Sequence, residues 1–388
     1  MFKIAIAPDS FKGSMTALQA ADCIERGLKQ ALVGISCRKV PMADGGEGTV
    51  QAIVDATGGR FVRRTVQDPL GRKIKASFGI SGDGKTAVME MAEASGLTLL
   101  KPQERNPLKT STYGTGELIA QALKLGVRKI MIGIGGSATN DGGTGMAAAL
   151  GVKFLDAKGR PLKGCGANLS KIESIDVSGI NPLLKKVSVE VACDVDNPLT
   201  GPKGAARVYG PQKGASPEMV KQLDEGLRNL AAVIKRDLGI AILRVPGSGA
   251  AGGLGGGLMA FLDGQLRPGV DIVIDSVKLA RKIKNCDLVI TGEGRMDYQT
   301  ASGKTPAGVA RTAKEFGIPV IAICGCLGKN PQVVNTIGID AFFATQEENL
   351  AEEDIPKRGP QMLVNCSEQV GRLLAISNKN IKVKPSKK

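Results

Sequence analysis

The chain has 388 residues, more than one hydrophobic core normally serves, so two domains are expected. It contains no histidine, which excludes Ser-His-Asp and Cys-His nucleophile systems and His-ligated metal sites. Any general base must therefore be Asp, Glu or Lys. The net charge of +15 is compatible with nucleic-acid binding, but 3% aromatic residues and no tryptophan offer little for base stacking. Five of the lysines fall in the last ten residues, and an anionic small-molecule substrate suits the remaining charge equally well.

The cysteines and the N-terminal residues indicate a cytoplasmic protein. The eight cysteines show no zinc-binding spacing and no CxxC pair. The opening residues, MFKIAIAPDS, contain too short an apolar run for a signal peptide, and no stretch has the character of a membrane span. We therefore expect a reduced, cytoplasmic setting without a membrane partner.

Strands and helices alternate at the start of the chain. The pattern predicts a strand at 3–7, a helix capped by Thr16, a strand at 36–42 and a helix ending near residue 57. Residues 61–80 then alternate in the manner of strands on either side of an Asp-Pro-Leu-Gly turn, which predicts a hairpin.

Further strands are predicted in the middle of the chain, at 86–91, 130–134 and 187–192. A long helix follows Ser216, and residues 246–257 form a second glycine-rich turn.

The opening alternation returns near the end of the chain. Strands are expected at 287–290, 320–324 and 341–344, with helices at 306–316 and 362–376.

The fold class that follows is α/β, with two α/β domains. The outer domain, of Rossmann or flavodoxin-like type with a mostly parallel sheet, is expected to comprise residues 1–65 and 282–388. The inserted domain, residues 66–281, would carry the glycine-rich phosphate loops.

Residues 129–150, KIMIGIGGSATNDGGTGMAAAL, have the features of an anion-binding loop. A buried strand leads into a glycine-rich turn and then into strong helix formers, so unpaired backbone N–H groups are expected to point outward. Gly133 to Ala138 also fit a dinucleotide-binding GxGxxG/A pattern, with Asp156 as a candidate ribose ligand. The residues up to Gly143 delay the helix beyond the start that this motif requires, so a nicotinamide-dependent dehydrogenase is the poorer alternative.

Acidic and polar side chains recur where strands end. They are Asp9, Ser10, Lys12, Asp44, Glu90, Asn140, Asp141, Asp194, Glu293 and Asp297. Open α/β sheets bind ligands at the carboxyl ends of their strands, and glycine loops, carboxylates and lysines are the groups that phosphoryl transfer requires. Gly303, Lys304 and Thr305 resemble the end of a Walker A loop, but the motif fails because Tyr298 occupies a required glycine position. Lys304 is therefore compatible with a role facing a phosphate or with an exposed position at the start of a helix.

Long motifs in the chain resemble the type 1 glycerate kinase family, from residue 1 to about residue 377. The motifs are APDSFKG (7–13), PMADGGEGT (41–49), GGSATNDGG (135–143), DVDNPL (194–199), YGPQKG (209–214) and TGEGRMD (291–297) with Gln299 and Thr300. The resemblance implies two α/β domains with the active site in the cleft between them. It also implies phosphorylation of D-glycerate by ATP with Mg²⁺. The expected product is 2-phospho-D-glycerate, with glycerate 3-kinase as the alternative.

The resemblance also suggests roles for residues. Asp194 is the expected base, and Lys12 and Glu293 are further catalytic candidates. Asp9, Ser10, Asp44 and Arg295 are candidate substrate ligands. The expected ATP-phosphate ligands are Gly135, Gly136, Ser137, Thr139, Asn140, Gly142 and Gly143. The candidate metal ligands are Asp141 and Asp297.

The expected partners are therefore D-glycerate and ATP, with no nucleic acid and a possible homodimer. A nucleic-acid-binding module remains the alternative from another class, and it predicts affinity that weakens steeply with salt.

Overall fold

A computed structural model describes residues 1–346, 351–377 and 382–383 of the protein. The helices are α1 Ala17–Ala31, α2 Thr49–Thr57, α3 Ala92–Ser95, α4 Tyr113–Lys124, α5 Thr144–Ala149, α6 Ala205–Tyr209, α7 Pro217–Leu238, α8 Ala250–Leu262, α9 Gly269–Val277, α10 Leu279–Ile283, α11 Thr305–Lys314 and α12 Ile355–Ser377. The strands before residue 200 are β1 Phe2–Pro8, β2 Leu32–Val33, β3 Ile35–Lys39, β4 Arg60–Gln67, β5 Lys73–Ile80, β6 Thr86–Glu90, β7 Lys129–Gly133, β8 Lys153–Leu155, β9 Ser174–Asp176 and β10 Ser188–Ala192. The later strands are β11 Gln265–Arg267, β12 Leu288–Gly292, β13 Arg295–Met296, β14 Val320–Cys324, β15 Cys326–Leu327, β16 Ala341–Ala344 and β17 Lys382–Val383.

The chain folds as two compact units, which we call unit 1 (residues 1–58 and 270–388) and unit 2 (residues 59–269). The sequence placed these boundaries near residues 65 and 282. Residue 65 lies inside β4, which pairs along its whole length with β5, and residue 282 lies inside α10. The structure instead divides the units after residue 58, between α2 and β4, and after residue 269, at the start of α9.

Unit 1 is built on a parallel sheet of order β16-β14-β12-β1-β3. Ile4 and Ile6 of β1 are fully buried in one apolar cluster with Ile24 of α1 and Leu363 of α12, because alternate side chains of a strand share a face. Helix α1 begins where the sequence predicts, since Thr16 forms a capping box with Gln19.

Helices α1 and α12 pack closely at a glycine. A Cβ on Gly27 would lie 2.3 Å from the Val364 carbonyl oxygen, so a larger residue there would push the two helices apart. Helix α12 begins at Ile355, earlier than the predicted residue 362, and it accommodates Pro360. The lysine-rich C-terminal segment lies outside the described residues, apart from the backbone of β17, which pairs with β2.

Unit 2 is built on a mixed sheet of order β11-β10-β7-β6-β5-β4. Its first four strands are parallel, and β5 and β4 form the predicted hairpin with Arg64 opposite Ala76. Helix α8 includes glycines 255–257, which the sequence assigned to a turn, although Ala251, Gly252 and Gly253 have positive φ inside it.

The predicted α/β fold class is confirmed by these two sheets and their helices. Among the described residues, no helix combines the length and the apolar character needed to cross a lipid bilayer.

Candidate active site

Unit 1 contains a cavity of about 390 Å³ beside the residues that follow β1, β12 and β14. Six residues predicted from the sequence as catalytic or substrate-binding line it: Asp9, Ser10, Lys12, Asp44, Glu293 and Arg295. Parallel strands bring these side chains together, because their carboxyl ends meet at one edge of the sheet. The pairing of Pro8 with Gly292 and the 2.8 Å hydrogen bond from the Asp9 N–H to the Gly292 carbonyl place the two acidic segments side by side.

Asp9 is a buried carboxylate held by its neighbours. Its Oδ1 accepts hydrogen bonds from the Ser10 N–H at 2.6 Å and the Ser10 hydroxyl at 3.3 Å, and its Oδ2 accepts one from the Thr305 hydroxyl. Burial raises the pKa of Asp9 to about 6, the Asp44 charge adds to the increase, and the Thr305 hydrogen bond opposes it. Asp9 therefore takes up a proton more readily than an exposed aspartate.

Glu293 is a second buried carboxylate of the same cavity, with 8% of its surface exposed. Its Oε1 accepts a hydrogen bond from the Thr300 hydroxyl at 2.5 Å, and its Oε2 lies 3.6 Å from the Lys304 Nζ. Burial raises the pKa of Glu293 to about 7, with a smaller increase from the Asp9 charge, while Thr300 and Lys304 oppose the change. A carboxyl group with this pKa can accept and release a proton near neutral pH.

Cationic side chains line the same cavity. Lys12 is exposed and makes no ion pair with another described residue, whereas Arg295 lies 3.8 Å from Asp297 and Lys304 pairs with Glu293. A Cβ on Gly294 would lie 3.3 Å from the Lys12 backbone nitrogen, so the glycine helps the two loops approach. The cavity thus offers positive charge for an anionic ligand beside carboxylates that can take up protons.

Asp44 and Asp297, by contrast, are carboxylates near this cavity with few protein donors. Asp44 is half-buried, lines the cavity and accepts a hydrogen bond from the Gly46 N–H at 3.0 Å. Asp297 is buried and accepts one from the Gln299 N–H at 2.9 Å. The part of the chain that the structure describes contains no cluster of three or more Asp, Glu or Cys side chains arranged to hold a metal ion.

Asp194, the base predicted from the sequence, lies in unit 2 and does not line the cavity of unit 1. It follows β10, is exposed, and accepts a hydrogen bond from the Gly269 N–H at 2.9 Å. Sequence reasoning could not distinguish it from Asp9 or Glu293, since each follows a strand.

The loop between β7 and α5 differs from the expected cradle of free amides. Gly135 and Gly136 are exposed, but Thr139, Asn140, Gly142 and Gly143 are buried. The Gly142 N–H donates to the Gly252 carbonyl and the Gly143 N–H donates to Asp141, so these amides do not point outward as the sequence suggested. The exposed part of the loop is the turn at Gly135 and Gly136, where Gly136 has φ of +71°.

Asp141, a metal-ligand candidate from the sequence, is fully buried. Its carboxylate accepts hydrogen bonds from the Thr112 N–H and hydroxyl, both at 2.8 Å, and from the N–H groups of Gly143 and Gly145, both at 3.1 Å. Burial raises the pKa of Asp141, and these donors oppose the increase. A cation would have to displace protein donors, so the geometry favours a structural role, in which Asp141 ties the loop to the start of α4.

The dinucleotide pattern at Gly133 to Ala138 lacks its structural context. The helix begins only at Thr144, and Asp156 is bound by its own turn through the Arg160 side chain at 2.7 Å and the Lys158 N–H at 2.9 Å. This geometry does not favour the nicotinamide-dependent alternative.

The sequence assigns no role to several polar residues of these sites, although Thr300 lies in a motif of the resemblance. Thr300 and Thr305 hold the carboxylates of unit 1, and the buried Lys213 holds the β7–α5 loop of unit 2. The motif around Lys213 belongs to the predicted resemblance, but nothing in its spacing indicates that the amino group points inward. The sequence is compatible with Lys304 facing either a phosphate or solvent, and in the structure Lys304 lines the cavity beside Glu293.

The cavity with acidic and basic groups at the strand ends of an α/β sheet is typical of an enzyme active site. The sequence profile of the glycerate kinase family matches residues 4–375, and the chain belongs to this family. It is 54% identical to a glycerate kinase of Haemophilus influenzae over 96% of this chain and 99% of that protein. It is 48% identical to the glycerate 2-kinase of Escherichia coli K12 over 97% of this chain and 99% of that protein.

A solved structure from Salmonella typhimurium LT2, named as a glycerate kinase 2, is similar with a TM-score of 0.90 and 47% identity. The match covers 97% of this chain and 99% of that one. The resemblance predicted from the motifs is therefore confirmed.

Proposed function

We propose that the protein phosphorylates D-glycerate with ATP at the 2-hydroxyl group and forms 2-phospho-D-glycerate and ADP. The names of the relatives support the substrate, and the glycerate 2-kinase among them supports the position of transfer. The observation that carries the chemistry is the pairing of Glu293, whose pKa is raised to about 7, with Lys304 in a cavity that also holds Asp9 and Lys12.

The cations of the cavity would bind the substrate carboxylate. Arg295 presents a planar guanidinium that matches a carboxylate, and Lys12 presents an exposed ammonium group on the other loop. D-glycerate carries one carboxylate and two hydroxyl groups, so Asp9 and Ser10 would accept and donate the remaining hydrogen bonds. In this assignment, the substrate ligands all belong to the residues that line the cavity of unit 1.

Glu293 replaces Asp194 as the proposed base. Its carboxylate would accept the proton of the 2-hydroxyl group while the oxygen attacks the γ-phosphorus of ATP and the bond to the β-phosphate oxygen breaks. Lys304 would neutralise negative charge on the transferred phosphoryl group. Its Nζ lies 3.6 Å from the Glu293 carboxylate, so it would stand beside both the base and the phosphoryl group. The proton ends on Glu293 and ADP leaves with its new charge.

Magnesium fits the cavity as a companion of ATP. This ion is usually held by one or two carboxylates together with phosphate oxygens, so the absence of a three-carboxylate cluster among the described residues does not oppose it. Asp44 is the preferred ligand, because its half-buried carboxylate accepts a hydrogen bond from the Gly46 N–H and from no other described residue. The ion would neutralise phosphate charge. Asp297, beside Arg295, is the second candidate.

The turn at Gly135 and Gly136 in unit 2 is proposed to contribute to binding of the ATP phosphates. The turn is exposed and carries no side chains, so a phosphate can approach the backbone closely. The buried members of the same loop would support this turn rather than contact the nucleotide.

The test is an ADP-release assay with D-glycerate, ATP and Mg²⁺, followed by NMR of the product. A phosphorus signal coupled to the single C2 proton is expected, and coupling to the C3 methylene protons would instead establish glycerate 3-kinase activity. Absence of ADP formation would overturn the proposed function. Glu293→Gln should lower kcat by about 10²–10⁴-fold, the usual contribution of a general base, while the exposed Glu315→Gln serves as the matched control.

A further inference from the structure

Lys213 in unit 2 is a buried amino group that the proposed reaction does not use. Only 1% of its surface is exposed, although lysine side chains are almost never buried to this degree without a partner. It ends a short turn, Pro211–Lys213, that follows α6. The next residue, Gly214, has φ of +88°, and a Cβ there would lie 2.4 Å from the Arg105 carbonyl oxygen. The backbone next to Lys213 is therefore tightly constrained at the point where the lysine side chain enters the interior of unit 2.

The Lys213 ammonium group is bound by the loop between β7 and α5. Its Nζ donates to the Ser137 hydroxyl at 2.5 Å and to the Thr139 carbonyl at 2.7 Å. These contacts join residues more than seventy positions apart in the sequence, since Lys213 and Ser137 are separated by 76 positions. They are the side-chain link from the α6–α7 segment to this loop.

This arrangement is costly, which argues that it does more than fill space. Burial lowers the pKa of Lys213 to about 7, and the charge of Asp141 opposes the decrease. No described carboxylate forms an ion pair with Lys213, so its charge is balanced by neutral oxygens and a more distant anion. An apolar side chain of similar volume would pack this position at lower cost.

The other edge of the loop is held by backbone contacts. The Ala138 N–H donates to the Ser95 carbonyl at 2.9 Å, and the Leu97 N–H donates to the Gly136 carbonyl at 2.8 Å. The Thr139 hydroxyl is buried and has no hydrogen-bond partner among the described residues. Lys213 is thus the side-chain restraint on Ser137 and on the Thr139 carbonyl, directly after the exposed turn.

We propose that Lys213 is a positioning residue that holds Ser137 and Thr139 so that the Gly135–Gly136 turn keeps the conformation that receives the nucleotide phosphates. The proposal rests on the proposed function, because the nucleotide role of the turn belongs to it. Lys213 touches neither reactant in this scheme. Its removal should therefore weaken nucleotide binding and leave glycerate binding unchanged.

The experiment compares wild-type protein, Lys213→Met and the exposed control Lys203→Met. Lys213→Met should raise the KM for ATP by about tenfold or more and leave the KM for D-glycerate within about twofold. Hydrogen–deuterium exchange should become faster in peptides covering residues 135–144, with little change in peptides from unit 1. Lys203→Met should match the wild type in every measurement.

A KM for ATP within about twofold of the wild type in folded Lys213→Met would overturn the proposal, as would unchanged exchange in residues 135–144. Absence of kinase activity in the wild type would refute the proposed function. Hydrogen–deuterium exchange is measured without nucleotide, so it would still test whether Lys213 restrains the loop.

A second variant keeps the test valid if Lys213→Met fails to fold. Ser137→Ala removes one acceptor of the ammonium group and leaves the lysine in place, so it should raise the KM for ATP in the same direction by a smaller factor. A folded Ser137→Ala protein with wild-type KM for ATP and wild-type exchange would then overturn the proposal. When both variants fold, the double variant should show less than the combined effect of the single ones, because the two groups act through one contact.

Discussion

Replacement of Glu293 by glutamine should make the protein more stable at alkaline pH while it removes activity. The carboxylate is buried, and the ionised form loses most of its hydration in the folded state. Glutamine has the same shape without the charge, and its Oε1 can still accept the hydrogen bond that the Thr300 hydroxyl donates to Glu293. The variant therefore changes the charge of the group and leaves its main hydrogen bond in place.

The size of the effect follows from the pKa. An increase from 4.5 to about 7 means that the ionised carboxylate costs the folded state about 3 kcal/mol. The raised pKa contributes stability that is present below 4.5 and is lost as the pH rises through about 7. The pKa of about 7 already contains the opposing effect of the ion pair with Lys304, so that pair is not subtracted again. The expected gain for Glu293→Gln is therefore about 3 kcal/mol above neutral pH.

Urea unfolding followed by circular dichroism measures this difference. Wild type and Glu293→Gln are compared at about pH 4, below both pKa values of the carboxyl, and at about pH 8, where the carboxyl is ionised in the folded state. We expect nearly equal stabilities at the lower pH and a stability advantage for the variant at the higher one. An equal gain at both pH values, or a loss at the higher one, would refute the assignment of the raised pKa to Glu293.

Three further predictions address the remaining groups. Asp194→Asn should keep kcat within about tenfold of the wild type, because Asp194 lies outside the cavity of unit 1, and a loss as large as that of Glu293→Gln would restore Asp194 as the base. Lys12→Met should raise the KM for D-glycerate by about tenfold or more without a change in thermal stability, since Lys12 is exposed and makes no ion pair with a described residue. Gly135→Ala should fold normally because its Cβ meets nothing within 4 Å, so a KM for ATP increased in kinetic assays would report contact with the nucleotide, whereas an unchanged value would argue against it.

Local sequence patterns were sufficient to predict much of the fold. The alternation of apolar strands and amphipathic helices predicts the parallel sheet of unit 1, and Thr16 marks the start of α1 through its capping box. The unit boundaries predicted near residues 65 and 282 differ from those of the structure, which fall after residues 58 and 269. Helix α12 was placed too late, since Pro360 inside a helix is a breaker in sequence terms.

The lining of the cavity in unit 1 was also predictable in large part. Asp9, Asp44 and Glu293 follow strands, and a parallel sheet gathers such residues at one edge whatever the side chains are. The rule has no means of ranking them, so the sequence assigns to Asp194, which follows β10 in unit 2, the role that we propose for Glu293.

The sequence by itself determined the α/β architecture, the absence of histidine chemistry and the set of carboxylates and lysines available for phosphoryl transfer. Only the tertiary structure decided which of them are buried, and burial controls their pKa values and their access to a ligand. Thr305 reaches Asp9 across 296 positions, and Lys213 reaches Ser137 across 76. The sequence predicts Asp141 as a metal ligand, whereas in the structure its carboxylate accepts hydrogen bonds from four donors of neighbouring residues. Such contacts depend on the packing of distant segments, which no local pattern of residues records.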